Sequence, residues 1–189
     1  MARELTESRR TRYTRSAMQD ALICLMDDRP LSAITVKALC ERADVNRSTF
    51  YAHYKSIEEL LADIEDETIV WVTAALDQLL ADPDRANVER IIERICAYIA
   101  SNRNHLRVLM SPKADADFQQ RLLGLIYSRR EVAERMQPAS GSAEEARMRM
   151  HFAVSGSIGL IQHWLATGSK AAPNMVARII LSMAMPATR

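Results

Sequence analysis

The chemistry of this chain concentrates in Asn46-Arg47-Ser48-Thr49-Phe50-Tyr51-Ala52-His53-Tyr54-Lys55. On a helical wheel centred on Phe50, Ser48, Thr49, Tyr51 and Ala52 point away from the phenylalanine side, with Arg47 and His53 on the flanks. A helix made only for a core would not carry hydroxyls and a phenol on its free face. An ordinary solvated helix would carry Glu and Lys there. This outward set is short, neutral or basic, and rich in hydrogen-bond donors, which is what a helix needs to meet phosphates and base edges in a major groove. Arg47 leads as a base reader, because its guanidinium fork matches O6 and N7 of guanine.

Other chemistries find little support. His53, His105, His151 and His163 are scattered, and none stands beside a Ser or Cys nucleophile motif. The chain has no Gly-rich phosphate loop, no HExxH and no metal-ligand spacing, so neither catalysis, cofactor nor metal is expected. Cys24, Cys40 and Cys96 lie far apart within helix-like apolar patterns and read as buried free thiols. The net charge of +1 hides an asymmetry: residues 1–55 carry ten Lys/Arg against seven Asp/Glu, and the rest fifteen against seventeen. The basic excess gathers in Arg3, Arg9, Arg10, Arg12 and Arg15, and phosphate binding needs such local positive charge rather than a basic whole.

The elements that must position these groups are helices. With 48% apolar residues over 189 positions but only 5 Gly and 6 Pro, the chain has a full core and little material for turns between strands. A first helix is expected from about Arg9 to Asp27, with Tyr13, Ala17, Met18, Ala21, Leu22 and Leu25 as its apolar stripe, closed by Arg29-Pro30. Thr35 caps a second helix to about Arg42, with Val36, Leu39 and Cys40 inward. Ala43-Asp44-Val45 makes a tight turn, and Asn46 caps a third helix to about Tyr54. Ser56 and Glu59 form a capping box that opens a long fourth helix to about Ala81, ended by Asp82-Pro83. Further helical patterns cover about 86–101, 103–110, 115–136, 143–167 and 174–185. The expected fold is all-α with nine helices: a three-helix helix-turn-helix head, followed by a helical effector and dimerisation bundle. The domain division is expected at 9–69 and 70–189, with the helix-turn-helix at about 35–54.

Two short helices joined by a three-residue turn, within the run Thr35-Val36-Lys37-Ala38-Leu39-Cys40-Glu41-Arg42-Ala43-Asp44-Val45-Asn46-Arg47-Ser48-Thr49-Phe50-Tyr51-Ala52-His53-Tyr54-Lys55-Ser56-Ile57-Glu58-Glu59-Leu60-Leu61, resemble the TetR/AcrR family of regulators. The resemblance covers roughly the first 65 residues. It implies a regulator, most often a repressor released by a small-molecule effector, that binds a palindromic operator on double-stranded DNA as a homodimer. It also implies that Thr35 and Lys37 touch DNA, that Arg47 and Thr49 read bases, and that Tyr51 and His53 contact phosphate. Ser48, Tyr54 and Lys55 join them as DNA-binding candidates. Three positions depart from the family pattern. Asp44 stands where Gly is usual, and Asp tolerates the left-handed backbone better than most residues. Asn46 replaces a usual Ser with an equivalent cap. Ile57 replaces a lysine that contacts phosphate, which weakens the expected grip and leaves Lys55 and the N-terminal arginines to compensate.

Beyond about residue 70, Phe152 to Gly168 is apolar nearly all round, with Ser155, Gly156, Ser157 and Gly159 small enough for close helix approach. Together with the final helix it is expected to pair with its twin in a four-helix interface through Phe152, Gly156, Gly159, Ile161, Trp164, Met175, Ile179 and Met183. This phrase also resembles a TetR/AcrR subgroup with a Gly-containing helix ending in Trp-Leu and Gly. Tyr98, His105, Tyr127, His151 and Trp164 are candidates to line an effector pocket, with Gln162 and His163 near them; structural roles fit the same residues. A helical adaptor that keeps the fold without binding DNA is the alternative, supported by Ile57 alone. The N-terminus lacks a signal-peptide core and no apolar run reaches membrane-spanning length, so a cytoplasmic, nucleoid-associated protein without a membrane partner is expected.

Overall fold

The computed structural model describes residues 9–81, 85–111, 116–129, 131 and 142–184. Among them are nine α-helices: α1 Arg9–Asp28, α2 Val36–Ala43, α3 Arg47–His53, α4 Ile57–Ala81, α5 Arg85–Ser101, α6 Arg103–Leu109, α7 Ala116–Tyr127, α8 Ala143–Ala166 and α9 Pro173–Ala184. A single 3-10 turn, Leu31–Ala33, follows α1, and no strand occurs among the described residues. No helix is long and apolar enough to cross a membrane among the described residues.

Contacts divide the chain into two units, with the boundary between Thr68 and Ile69 inside α4. In the first unit α1 packs on α2 and α2 on α3. Its core draws Met18 and Leu22 from α1, Leu39 from α2, Phe50 from α3 and Leu60 from α4, each fully buried. Burial of such side chains contributes about 1.5–3 kcal/mol each. Helices as short as α2 and α3 would not persist alone in water, so this core and their caps hold them.

The turn between α2 and α3 closes as its sequence requires. Asp44 takes the left-handed conformation, φ 54° and ψ 46°. The N–H of Val45 then reaches the Cys40 carbonyl at 3.0 Å, one of the bonds that end a helix through a left-handed residue. Ser56 Oγ accepts from the Glu59 N–H at 3.3 Å, and the Glu59 carboxylate accepts from the N–H of Lys55. The capping box therefore reaches one residue further back than its own cap.

The second unit has two apolar clusters. Cys96, Ile99, Leu106, Trp164, Leu165, Val176 and Ala177 join α5, α6, α8 and α9. Met150 and Val154 on α8 meet Leu80 from α4 and Leu123, Ile126 and Tyr127 from α7. Helix α8 ends with Gly168 at φ +82°, where the N–H groups of Gly168 and Ser169 reach the carbonyls of Leu165 and Trp164 at 3.2 and 2.9 Å. That pair of bonds satisfies the last carbonyls of the helix, and only glycine accepts the conformation without strain.

Three expectations from the pattern are corrected. Tyr13 is 78% exposed and not part of the core stripe. It precedes Leu22 by nine residues, about half a turn out of phase at roughly 100° per residue. Cys24 is exposed while Cys40 and Cys96 are buried, because it lies two residues past Leu22 and points to the opposite side of α1. The helix expected over 115–136 stops at Tyr127. There Ser128 Oγ donates to the Leu125 carbonyl and Arg129 N–H to that of Ile126, which tightens the last turn. Residues 112–115, 130 and 132–140 of the surrounding segment lie outside the described residues.

The thiols give a direct check. Burial raises the Cys96 thiol to about 11 and pushes Cys40 upward as well, so both hold little thiolate at neutral pH. A maleimide added to the native protein should label one thiol per chain rapidly, and Cys24→Ser should abolish that fast phase. Rapid labelling that survives Cys24→Ser would contradict the assigned burial.

Candidate nucleic-acid interface

Each end of α3 is fixed by local chemistry. Asn46 Oδ1 accepts from the Thr49 N–H at 2.7 Å and from Ser48 Oγ at the same distance. One amide oxygen thus caps the first turn and orients the Ser48 hydroxyl. At the start of α2, Thr35 Oγ1 accepts from the Ala38 N–H at 3.2 Å. Phe50 anchors the inner side with no exposed surface, and its ring meets that of Tyr51 edge-on at 5.3 Å.

The outer face follows the wheel at Ser48, Tyr51 and Ala52. Arg47, Ser48, Ala52 and Lys55 are exposed, Thr49 and His53 are half-buried, and Tyr51 keeps 59% of its surface. Thr35 and Lys37 are exposed at the start of α2. The Lys37 ammonium lies 3.8 Å from Glu41 with both side chains about two-thirds exposed, a pairing weak enough to give way to a phosphate. The exposed face therefore carries three cations, Lys37, Arg47 and Lys55, and several neutral donors, with no carboxylate between Arg47 and Lys55.

Two expected contributors are elsewhere. Tyr54 is buried, 6% exposed, and does not belong to the outer face. It follows Phe50 by one helical turn and so takes the same inner side, its ring centroid 6.1 Å from that of Phe50. Its hydroxyl donates to Asp63 Oδ2 at 2.6 Å. Burial, reinforced by that hydrogen bond, holds the Tyr54 phenol well above the ordinary tyrosine range, so it remains a donor. Arg15 is likewise engaged. Its Nε donates to Asp63 Oδ2 at 2.9 Å, its Nη2 to Asp63 Oδ1 at 3.1 Å, and Nη2 also meets Glu67. Gln19 Nε2 adds bonds to Asp63 and Glu67 at 3.3 and 3.2 Å. Ile57, the position of the missing lysine, is buried in the core at the opening of α4. Arg3 lies outside the described residues, whereas Arg9 and Arg12 are exposed.

This polar cluster was not anticipated from sequence. Its one signal was a tyrosine phased with Phe50, since a buried phenol needs a partner. The acceptor could not be named, because Asp63 and Glu67 read as an ordinary charged helix face.

The pocket candidates of the second unit separate into different settings. Tyr98 stacks face to face on Trp71, with centroids 3.6 Å apart and planes 8° from parallel. Tyr127 stacks on His151 at 4.3 Å, and its hydroxyl lies 3.1 Å from Ser155 Oγ. His105 is half-buried on α6. Trp164 is 4% exposed within the core, and its Nε1–H donates to the Ala171 carbonyl at 3.1 Å. That burial removes Trp164 from the outer interface expected of it. It sits about 120° around α8 from Phe152. Ile161 is half-buried and packs on the same core, about half a turn around α8 from Phe152. A groove of about 240 Å³ opens between α4 and α5, with Trp71, Gln78, Arg94 and Tyr98 among its walls.

Comparison with known proteins agrees with this geometry. Residues 20–64 match the family described as bacterial regulatory proteins, tetR family, and residues 86–186 match its transcriptional regulator C-terminal region. The HTH-type transcriptional regulator EthR of Mycobacterium tuberculosis is 38% identical over 69 residues, 35% of this chain and 32% of that protein. The matched stretch thus spans about a third of the length of the curated relative. A TetR transcriptional regulator from Streptococcus agalactiae 2603V superposes with a TM-score of 0.60 at 24% identity, covering 93% of this chain and 96% of that one. SmeT, the repressor of the Stenotrophomonas maltophilia multidrug efflux pump SmeDEF, superposes at 0.69 with 14% identity over 90% and 88%. At these identities the two structures share the fold.

The Asn46 cap should be measurable. Asn46→Ala should lower stability by about 1 kcal/mol, read from urea unfolding followed by far-UV circular dichroism. An unchanged midpoint would mean that the Asn46 amide does not hold the first turn of α3.

Proposed function

The chain belongs to the tetR family of bacterial regulatory proteins and is a DNA-binding transcriptional regulator, and from that premise we propose that it acts as a homodimeric repressor on a palindromic operator, released by a small-molecule effector. The observation that carries the DNA contact is the sidedness of α3. Phe50 and Tyr54 are buried on one side, while Arg47, Ser48 and Tyr51 stand free on the other. In this reading Arg47 and Thr49 read bases, with Ser48 in the same turn. Thr35, Lys37, Tyr51, His53 and Lys55 hold the phosphates. Ile57, on which the adaptor alternative rests, has a packing role at the start of α4, and the free face of α3 favours DNA binding over that alternative.

Support for a dimer comes from the side chains that the second unit leaves outside. Phe152 is 67% exposed, Met183 64% and Met175 48%, with Ile179 at 38%. Gly156 and Gly159 share the outer side of α8 with Phe152, at four- and three-residue steps. Large apolar groups gathered beside small residues suit the close approach of a second copy. The α4–α5 groove is the favoured effector seat, since its walls combine an aromatic stack with the polar ends of Arg94 and Gln78.

Duplexes selected by the protein from a random pool should converge on a palindrome. A non-repeated asymmetric site would refute dimeric reading. Arg47→Ala should cost about 1–3 kcal/mol at one base step and relax preference there, whereas Lys55→Ala should weaken all sequences and reduce the salt slope by about one. Equal loss on selected and random DNA from Arg47→Ala would remove it from base reading. Light scattering should show a dimer at micromolar concentration that Phe152→Glu converts to monomer.

A further inference from the structure

The outer face of α3 can read a sequence only if the helix is held at a fixed depth and angle. Seven residues make barely two turns, so α3 cannot set its own pose through length. Phe50 supplies depth, because its ring is wholly buried. A single apolar anchor still allows the helix to pivot about it. The second restraint stands at the other end, where Tyr54 leaves the helix in an extended conformation and is tied through its hydroxyl to Asp63 on α4.

We infer that Asp63 is the positioning residue for the reading face, acting through the Tyr54 hydroxyl and itself locked by Arg15 and Gln19 of α1. The geometry is over-determined in the way a positioning group requires. Oδ2 of Asp63 accepts from Tyr54 at 2.6 Å, Arg15 at 2.9 Å and Gln19 at 3.3 Å, while Oδ1 accepts from Arg15 at 3.1 Å. Arg15 engages both carboxylate oxygens, which fixes the plane of the acceptor as well as its place. Glu67, one turn further along α4, binds the same arginine and glutamine, so those two donors are held from both sides. Donors four residues apart on α1 thus meet acceptors four residues apart on α4. Tyr54 carries that register to α3. Asp63 touches no DNA in this scheme; it sets where Arg47 and Thr49 arrive. Hydrogen bonds to base edges weaken steeply when donor and acceptor shift by a few tenths of an ångström, whereas phosphate attraction tolerates such shifts.

This rests on the reading that α3 enters the groove, and the test separates the two. Full-length wild type, Tyr54→Phe, Asp63→Asn and the double variant are titrated by fluorescence anisotropy against the duplex selected by the wild type and against a random duplex. The titrations span a range of salt concentrations, at a temperature where circular dichroism shows all four folded. Tyr54→Phe removes one hydroxyl and keeps the buried ring. It should reduce affinity for the selected duplex roughly tenfold while leaving random-duplex affinity and salt slope nearly unchanged. Asp63→Asn should lower the same ratio, and the double variant should lose no more than the larger single loss, because both residues act on one route. Equal loss on both duplexes, an unaltered ratio, or additive losses would overturn the positioning role while leaving DNA binding intact. No salt-sensitive binding by the wild type to either duplex would overturn the functional reading and this inference together. If Tyr54→Phe does not fold, the ratio for Asp63→Asn decides alone.

Discussion

One carboxylate ties the head together. Asp63 is about a third exposed, sheltered enough for its hydrogen bonds to count. Bonds to charged groups contribute about 1.5–3 kcal/mol where buried, and less where solvent screens them as it partly does here. Their importance lies in direction rather than sum. Apolar burial presses α1, α3 and α4 together but does not favour one rotation of α3 over its neighbours. The fork of Arg15 and the phenol of Tyr54 accept only a narrow range of geometries. Two carboxylates a turn apart on α4 would repel each other if unpaired, so Arg15 is needed for Asp63 and Glu67 to stand together.

The same logic explains the caps. Helices α2 and α3 are too short to be stable alone, and each depends on terminal bonds that the local sequence provides. Asp44 supplies the left-handed turn without glycine, at some conformational cost. Asn46 then begins α3 within two residues, bonding both the backbone and Ser48. Between Ala43 and Arg47 the chain reverses direction with every residue committed to a specific role, which ties the start of α3 to the end of α2.

What could be read from the sequence divides along physical lines. Caps, the left-handed turn, the helix order and the outward set of α3 depend on residues within four positions of each other, and all of these were legible. Phase errors account for the misplacements. Tyr13, Cys24, Tyr54 and Trp164 are apolar or aromatic residues whose type says little about side, and a rotation of half a turn decides between core and surface. Trp164 is expected at the outer interface, yet the Ala171 carbonyl satisfies its indole N–H inside. Asp63 was invisible for another reason. Its partner Arg15 lies 48 positions away, and no local pattern announces a pairing across that separation.

The second unit shows how a core can define a surface by exclusion. Val176, Ala177 and Ile180 turn inward from α9 to meet Trp164 and Leu165 of α8, so Met175, Ile179 and Met183 are directed outward by the same helix geometry. On α8, a Cβ added at Gly156 or Gly159 would meet nothing within 4 Å. Packing within the chain thus gives no reason for glycine at either position, while each costs about 0.5–1 kcal/mol relative to alanine in a helix interior. Their neighbour Phe152 is too exposed for a residue whose burial would be strongly favourable. A second copy laid against this stripe accounts for both at once, since it covers the phenylalanine and uses the space that the missing side chains leave. That is the physical basis on which the proposed homodimer stands, independent of any likeness to other regulators.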